Sequence, residues 1–180
     1  EAAGLRDLVW GSGATVGDVD NDGFPDVFVT ALGSDHLYRN NGDGTFSAWP
    51  AGIEGNDWST SATFTDWDGD GFLDLYVAKY LEFDEEEIPV PGDGACFYGT
   101  VEVFCGPEGL VGTRDKFYRN NGDGTFLPWM ESEIDPDATY GFALIDIDCD
   151  NDGRSEIYVA NDSNINLLYR RTRNAGIEDW

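Results

Sequence analysis

Asp18-Val-Asp20-Asn-Asp22-Gly23-Phe24-Pro-Asp26-Val-Phe-Val-Thr30 is the stretch that decides the reading of this chain. Its first half places acids at alternate positions, then a glycine, then a further acid, in the order D-x-D-x-D-G-x-x-D. Its second half, Val27 to Thr30, is β-branched and aromatic, the composition of a strand. Side chains at loop positions one, three and five point inward, and Gly23 permits a sharp turn. The position-seven carbonyl of Phe24 and the position-nine carboxylate of Asp26 can complete an oxygen cage. Calcium, a hard cation that takes roughly six to eight oxygens, suits this supply. Magnesium prefers a smaller, wetter octahedron, and zinc prefers His and Cys.

The stretch returns twice, as Asp66-Trp-Asp68-Gly-Asp70-Gly71-Phe72-Leu-Asp74 and as Asp148-Cys149-Asp150-Asn-Asp152-Gly153-Arg154-Ser-Glu156. A single such loop could be a solvated Asx turn. Three in repeat phase, each with acids that repel one another without a counter-ion, point to three calcium ions per chain. In the third loop Asp146 holds the repeat phase of Asp66, yet Gly153 and Glu156 fit a frame that starts at Asp148. The expected ligands there are Asp148, Asp150, Asp152, Glu156 and the Arg154 carbonyl, with Asp146 as an extra contact. An EF-hand is excluded, because its bidentate Glu at position twelve is replaced by Val29, Val77 and Val159, and a strand follows where a helix would be needed.

Self-similarity extends beyond the loops. Ala3-Gly4-Leu5 recurs as Ala51-Gly52-Ile53, and Trp10, Ala14, Asp18 and Asp22 recur as Trp58, Ala62, Asp66 and Asp70, all at an offset of 48. Tyr38 to Phe46, YRNNGDGTF, recurs at Tyr118 to Phe126 at an offset of 80. The difference, 32 residues, measures an insertion in the second unit at about 81–112. The units are therefore 1–50, 51–126 with that insertion, and a shortened third at 127–180. Strands are expected near 13–17, 26–31, 35–40 and 44–49 in the first unit, with Asn-Asn-Gly-Asp-Gly as a tight turn. No segment has helical period and caps. The fold class is all-β: tandem antiparallel sheets of propeller-blade type, too few to close a propeller alone.

Acids outnumber bases 36 to 10, giving a formal charge of −26. This excludes nucleic acid and an anionic membrane surface as natural partners and favours a cation. No apolar run approaches transmembrane length. A chain that starts at Glu1 without a signal peptide is expected to be processed, trimmed or a fragment. Cys96 and Cys105, nine apart in a Gly/Pro-rich stretch, are expected to form a disulfide, with Cys149 left over and facing away from the metal; this usage suggests an oxidising compartment. His36, the single histidine, stands beside no nucleophile motif and reads as structural. Trp10, Phe28, Trp58, Phe64, Tyr76, Phe142 and Tyr158 recur in repeat phase and read as core. The acidic run Asp84 to Glu87 reads as solvated surface. No catalytic constellation is visible, so no enzyme activity is expected.

The stretches GDVDNDGFPDVFVT (Gly17 to Thr30), LYRNNGDGTF (Leu37 to Phe46), WSTSATFTDWDGDGFLDLYVAKYL (Trp58 to Leu81) and VFCGPEGLVGTRDKFYRNNGDGTF (Val103 to Phe126) resemble the FG-GAP/VCBS repeat family, whose loops in integrin α-subunit propellers are similar. They most resemble bacterial proteins related to cartilage acidic protein, of the ASPIC/UnbV type. The resemblance implies secreted or cell-surface proteins with calcium-loop blades and adhesive or structural roles, and carries no catalytic residue. Three functions follow as expectations: a structural or interaction repeat that joins copies of itself head to tail, as a filament or ring; a piece of a larger propeller adhesin or receptor; or an accessory domain of a secreted polysaccharide-active enzyme. The first draws on the ends, since Ala3-Gly4-Leu5 and Ala175-Gly176-Ile177 stop the chain at the same repeat phase.

Overall fold

A computed structural model describes residues 3–5, 9–53, 55–83, 96–103, 106–107, 110–129, 138–172 and 176–179. Every regular element among them is a strand. The first sheet is an antiparallel meander of β1 (Trp10–Gly17), β2 (Asp26–Leu32), β3 (His36–Asn40) and β4 (Phe46–Trp49). The second follows with β5 (Ser59–Thr65) and β6 (Asp74–Lys79), and β7 (Cys96–Tyr98) and β8 (Val101–Val103) then form a separate hairpin within the insertion. β9 (Lys116–Asn120) returns to pair with β6, and β10 (Phe126–Trp129) completes that sheet. The third sheet holds β11 (Gly141–Ile147), β12 (Glu156–Asn161), β13 (Leu167–Arg171) and β14 (Ile177–Asp179). A bridge between Leu81 and Gly112 closes the base of the insertion, so the excursion leaves the meander order unchanged.

Register carries the repeat into three dimensions. Gly17 pairs with Asp26, Thr65 with Asp74, and Ile147 with Glu156. The first strand of each sheet slips register at the same place, near Gly11, Ser59 and Gly141. These first strands lie side by side, β5 between β1 and β11, with Thr60 Oγ1 donating to Gly141 O of β11 at 2.7 Å, while Thr30 Oγ1 of β2 donates to Thr60 O at 3.2 Å.

Period-two alternation sends opposite faces of each sheet into different cores. Phe28 and Leu37 of the first sheet meet Leu75, Val77 and Tyr118 of the second. The other face of the second sheet, with Tyr76 and Phe117, meets Ile157, Val159 and Tyr169 of the third. Two faces are left without a neighbouring sheet among the described residues. On the first sheet Val16 is 65% exposed, and on the third Phe142, Ile145 and Tyr158 are exposed. Trp10, Phe142 and Tyr158, expected in the core, therefore lie at 79%, 58% and 36% exposure, whereas Phe28 and Tyr76 are wholly buried. The reason is position in the stack: the end sheets have one neighbour, not two.

Candidate metal centres

Each aspartate loop lies between the first and second strand of its sheet and is wound around its own first carboxylate. Asp18 accepts from Asp22 N at 3.0 Å and Gly23 N at 2.8 Å. Asp66 accepts from Gly69 N at 2.9 Å and Gly71 N at 3.1 Å. Asp148 accepts from Asp152 N at 3.1 Å and Gly153 N at 3.0 Å. The winding needs left-handed backbone at two positions. Position six supplies it with Gly23, Gly71 and Gly153 at φ of 91°, 93° and 84°, and position four with Asn21, Gly69 and Asn151 at 57°, 78° and 59°. Glycine and asparagine tolerate that region best. The demand at position four was visible in the sequence as an Asn/Gly restriction that the loop pattern did not include.

The winding brings acids together. Asp18, Asp20 and Asp22 present oxygens within 4.8 Å of one another, and so do Asp66, Asp68 and Asp70. The third group is Asp148, Asp150 and Glu156. Asp152 is drawn aside by Arg154, whose Nε lies 3.0 Å from its Oδ2 and whose Nη2 also contacts it. That fork holds the Asp152 carboxyl below the usual carboxylate range. Asp146 lies in β11 opposite Ile157, ahead of the loop, so pairing sets the loop frame at Asp148. At position seven the main-chain N–H groups of Phe24, Phe72 and Arg154 each donate to the position-five aspartate, at 2.9, 2.9 and 3.0 Å.

Position nine does something else in the first two loops. Asp26 accepts from Val19 N at 3.1 Å and Asn40 N at 2.8 Å, and Asp74 from Trp67 N at 3.1 Å and Asn120 N at 3.0 Å. These carboxylates tie the loop to the third strand of the sheet. Burial pushes both carboxyls up, Asp74 to about 7, against the lowering effect of those amides. A buried carboxyl held up beside two further aspartates is a place short of positive charge.

The donor set suits calcium: the three groups offer carboxylate oxygen only. Cys149 departs from expectation. Its thiol does not face away but lies 3.1 Å from Glu156 Oε2, which also accepts Cys149 N at 2.9 Å, and the carboxylate pushes the thiol pKa up. Alternation of side chains does not set its direction, because Glu156 wraps past position two, as Asp26 and Asp74 do at Val19 and Trp67. Cys105 lies outside the described residues, as does the Asp84 to Glu87 run, so the expected Cys96–Cys105 pairing is not described.

Long-range contacts that no local pattern carries complete the centres. Arg39, from β3, bonds Asp20 at 2.5 Å and Asp22 at 3.1 Å, and its guanidinium stacks on Trp49 of β4 at 5.2 Å. Arg119, from β9, bonds Asp68 and, at 3.4 Å, Asp70, and stacks on Trp129 of β10 at 5.5 Å. Each of the first two loops is also touched by the next unit: Asn21 Nδ2 donates to Gly71 O at 2.9 Å, Asn120 Nδ2 of β9 to Val19 O at 2.8 Å, and Arg171 Nη2 of β13 to Asp68 O. Acidic loops thus stand at one repeating point of successive four-stranded sheets. Residues 18–77 match the model of an FG-GAP-like repeat. That repeat runs from the first aspartate loop into β6 and so spans the first two loops. No curated protein matches the chain.

Proposed function

We propose that the chain is a calcium-stabilised, non-catalytic repeat module of extracellular type, whose work is structural or adhesive. The observation that carries this reading is the recurrence of an all-oxygen acidic group at the same point of three successive sheets. Calcium neutralises acids that would otherwise repel, and three divalent ions would bring the formal charge from −26 to −20. Binding to the folded loops alone would stabilise the fold by mass action. Elemental analysis after gentle desalting should find three calcium ions per chain; zinc in their place, or no metal, would overturn the reading. Melting with and without chelator gives a second check, and identical transitions would mean that the loops do not contribute to stability.

The partners we propose are blades of the same kind. Val27 and Val29, on the open face of the first sheet, hold the repeat places of Leu75 and Val77, which are buried against a preceding sheet. Tyr158 holds the place of Phe28 and Tyr76, which are buried against a following one. One end of the stack thus offers what the other end accepts, which supports head-to-tail joining with other copies or with adjoining repeats of a larger propeller. The side-by-side first strands favour the propeller form of that joining. The accessory domain of a secreted enzyme has no observation in its favour. A Cys96–Cys105 disulfide would staple the insertion, and peptide mapping without reductant should recover the linked pair; two free thiols there would count against the extracellular assignment.

A further inference from the structure

Two of the three centres carry an organic cation brought in from another strand. In the first loop Asp20 Oδ1 and Asp22 Oδ1 accept main-chain N–H groups, at 3.3 and 2.9 Å, which leaves their Oδ2 atoms as the outward ends. Arg39 Nη2 takes both of those Oδ2 atoms, at 2.5 and 3.1 Å. The second loop repeats the division. Asp68 Oδ1 and Asp70 Oδ1 accept N–H groups at 3.1 and 2.9 Å, and Arg119 Nη2 takes both Oδ2 atoms. The third loop differs: Asp152 Oδ2 is held by Arg154 of the loop itself, and Arg170, at the repeat phase of Arg39 and Arg119, donates to Glu178 at 2.6 Å.

We propose that Arg39 and Arg119 are competing counter-ions of the first and second centres, each holding two loop carboxylates when calcium is scarce and yielding them when it binds. The inference rests on the calcium reading and assigns a role that the loop pattern lacks. A guanidinium and a calcium ion drawing on the same carboxylates repel one another and share acceptors, so the arginine lowers the affinity of its own site. It also relieves the repulsion among the acids, so the loop stays formed without the metal. Release is cheap. The arginine side chains are 47% and 50% exposed, so a freed guanidinium regains water, while Asp20 and Asp68, each 10% exposed, pass from one cation to the other and are never left unpaired. Trp49 and Trp129 give the freed guanidinium a face to rest on. The two functions of the arginine have opposite signs, and that separates it from a merely structural residue.

The test is calorimetric titration of calcium into the decalcified full chain, with melting in chelator measured alongside. Arg39→Gln should tighten the first site and Arg119→Gln the second, each by roughly three- to tenfold. The third site, which neither arginine touches, should not move. The same variants should melt lower than wild type in chelator and level with it in saturating calcium. Arg39→Lys, which keeps the charge, should stay near the wild-type affinity. Gln variants that bind no tighter, or more weakly, while wild type takes up three ions would overturn this inference and leave the calcium reading standing. A wild-type chain that takes up no calcium would overturn both.

Discussion

Lys79 is a buried cation whose environment is costly to leave uncompensated. Its side chain is 1% exposed, 3.3 Å from Asp35, itself 4% exposed, and 2.6 Å from Ser59 Oγ, which in turn donates to Asp35 at 2.7 Å. Asp35 belongs to the loop before β3 and Lys79 to β6, so the pair lies between the first two sheets. A buried pair is worth little against an apolar replacement, but breaking it strands a charge. Asp35→Ala should cost about 3 kcal/mol or more in denaturant unfolding, and the double change Asp35→Leu with Lys79→Met should recover most of that. A double variant as unstable as the single one would place the value of the pair in its geometry. Asp74 gives a pH signature in the calcium-free chain. Its folded pKa is pushed up to about 7 from an ordinary 3.8, so its contribution to stability is complete below 3.8 and is lost as pH rises toward 7. In chelator, wild-type denaturation midpoints should fall relative to Asp74→Asn across that window, and calcium should remove the difference by favouring the carboxylate. Parallel pH profiles for the two proteins would show a carboxyl that is ionised throughout.

The elements were legible where pattern and period are local. Strands expected near 13–17, 26–31, 35–40 and 44–49 form as Trp10–Gly17, Asp26–Leu32, His36–Asn40 and Phe46–Trp49. The acids at positions one and three of all three loops converge, since spacing alone dictates that. What was not legible depends on chain segments far apart. Arg39 and Arg119 reach the loops from the third strand, and nothing in a D-x-D-x-D-G motif announces them. Nor could the motif say that Asp26 and Asp74 would be held by amides of two different elements, while Glu156, one methylene longer, would reach the cluster. The repeated Ala-Gly dipeptide was visible as a match but its work was not. Phe46 N donates to Ala3 O at 2.6 Å and Phe126 N to Ala51 O at 2.7 Å, so the start of each of the first two units fastens the last strand of the same sheet. Gly52 has φ of 81°, and a Cβ there would lie 2.7 Å from Phe126 O, whereas a Cβ at Gly71, φ 93°, meets nothing within 4 Å. Gly71→Ala should therefore cost only backbone strain, about 1–2 kcal/mol. Gly52→Ala adds a clash with main chain and should cost about 3 kcal/mol. Equal losses at the two positions, by thermal or denaturant unfolding, would mean that the Ala-Gly fastening gives way without consequence.

At the scale of the molecule, repeat phase makes three aromatics equivalent and stack position makes them unequal. Phe28 and Tyr76 are fully buried, each between its own sheet and the next, while Tyr158 is 36% exposed on a sheet with no following neighbour among the described residues. Truncating a buried aromatic removes its transfer free energy and leaves a cavity, so Tyr76→Ala and Phe28→Ala should each cost about 3–5 kcal/mol. Tyr158→Ala in a dilute solution of the isolated chain has no following sheet among the described residues to lose and should cost less, about 1–2 kcal/mol. The difference is a measure of what covers the open face. If copies join head to tail, Tyr158 comes to occupy the environment of Tyr76, and its truncation should become costly as protein concentration rises. Stability then depends on concentration because the folded, assembled state is favoured by mass action. Sedimentation of wild type and Tyr158→Ala in calcium, read beside unfolding at low and high concentration, distinguishes the two forms of joining. Assembly of the wild type that Tyr158→Ala abolishes supports joining between copies. A wild type that stays monomeric at every concentration, with the cost of Tyr158→Ala unchanged throughout, would rule out joining between copies.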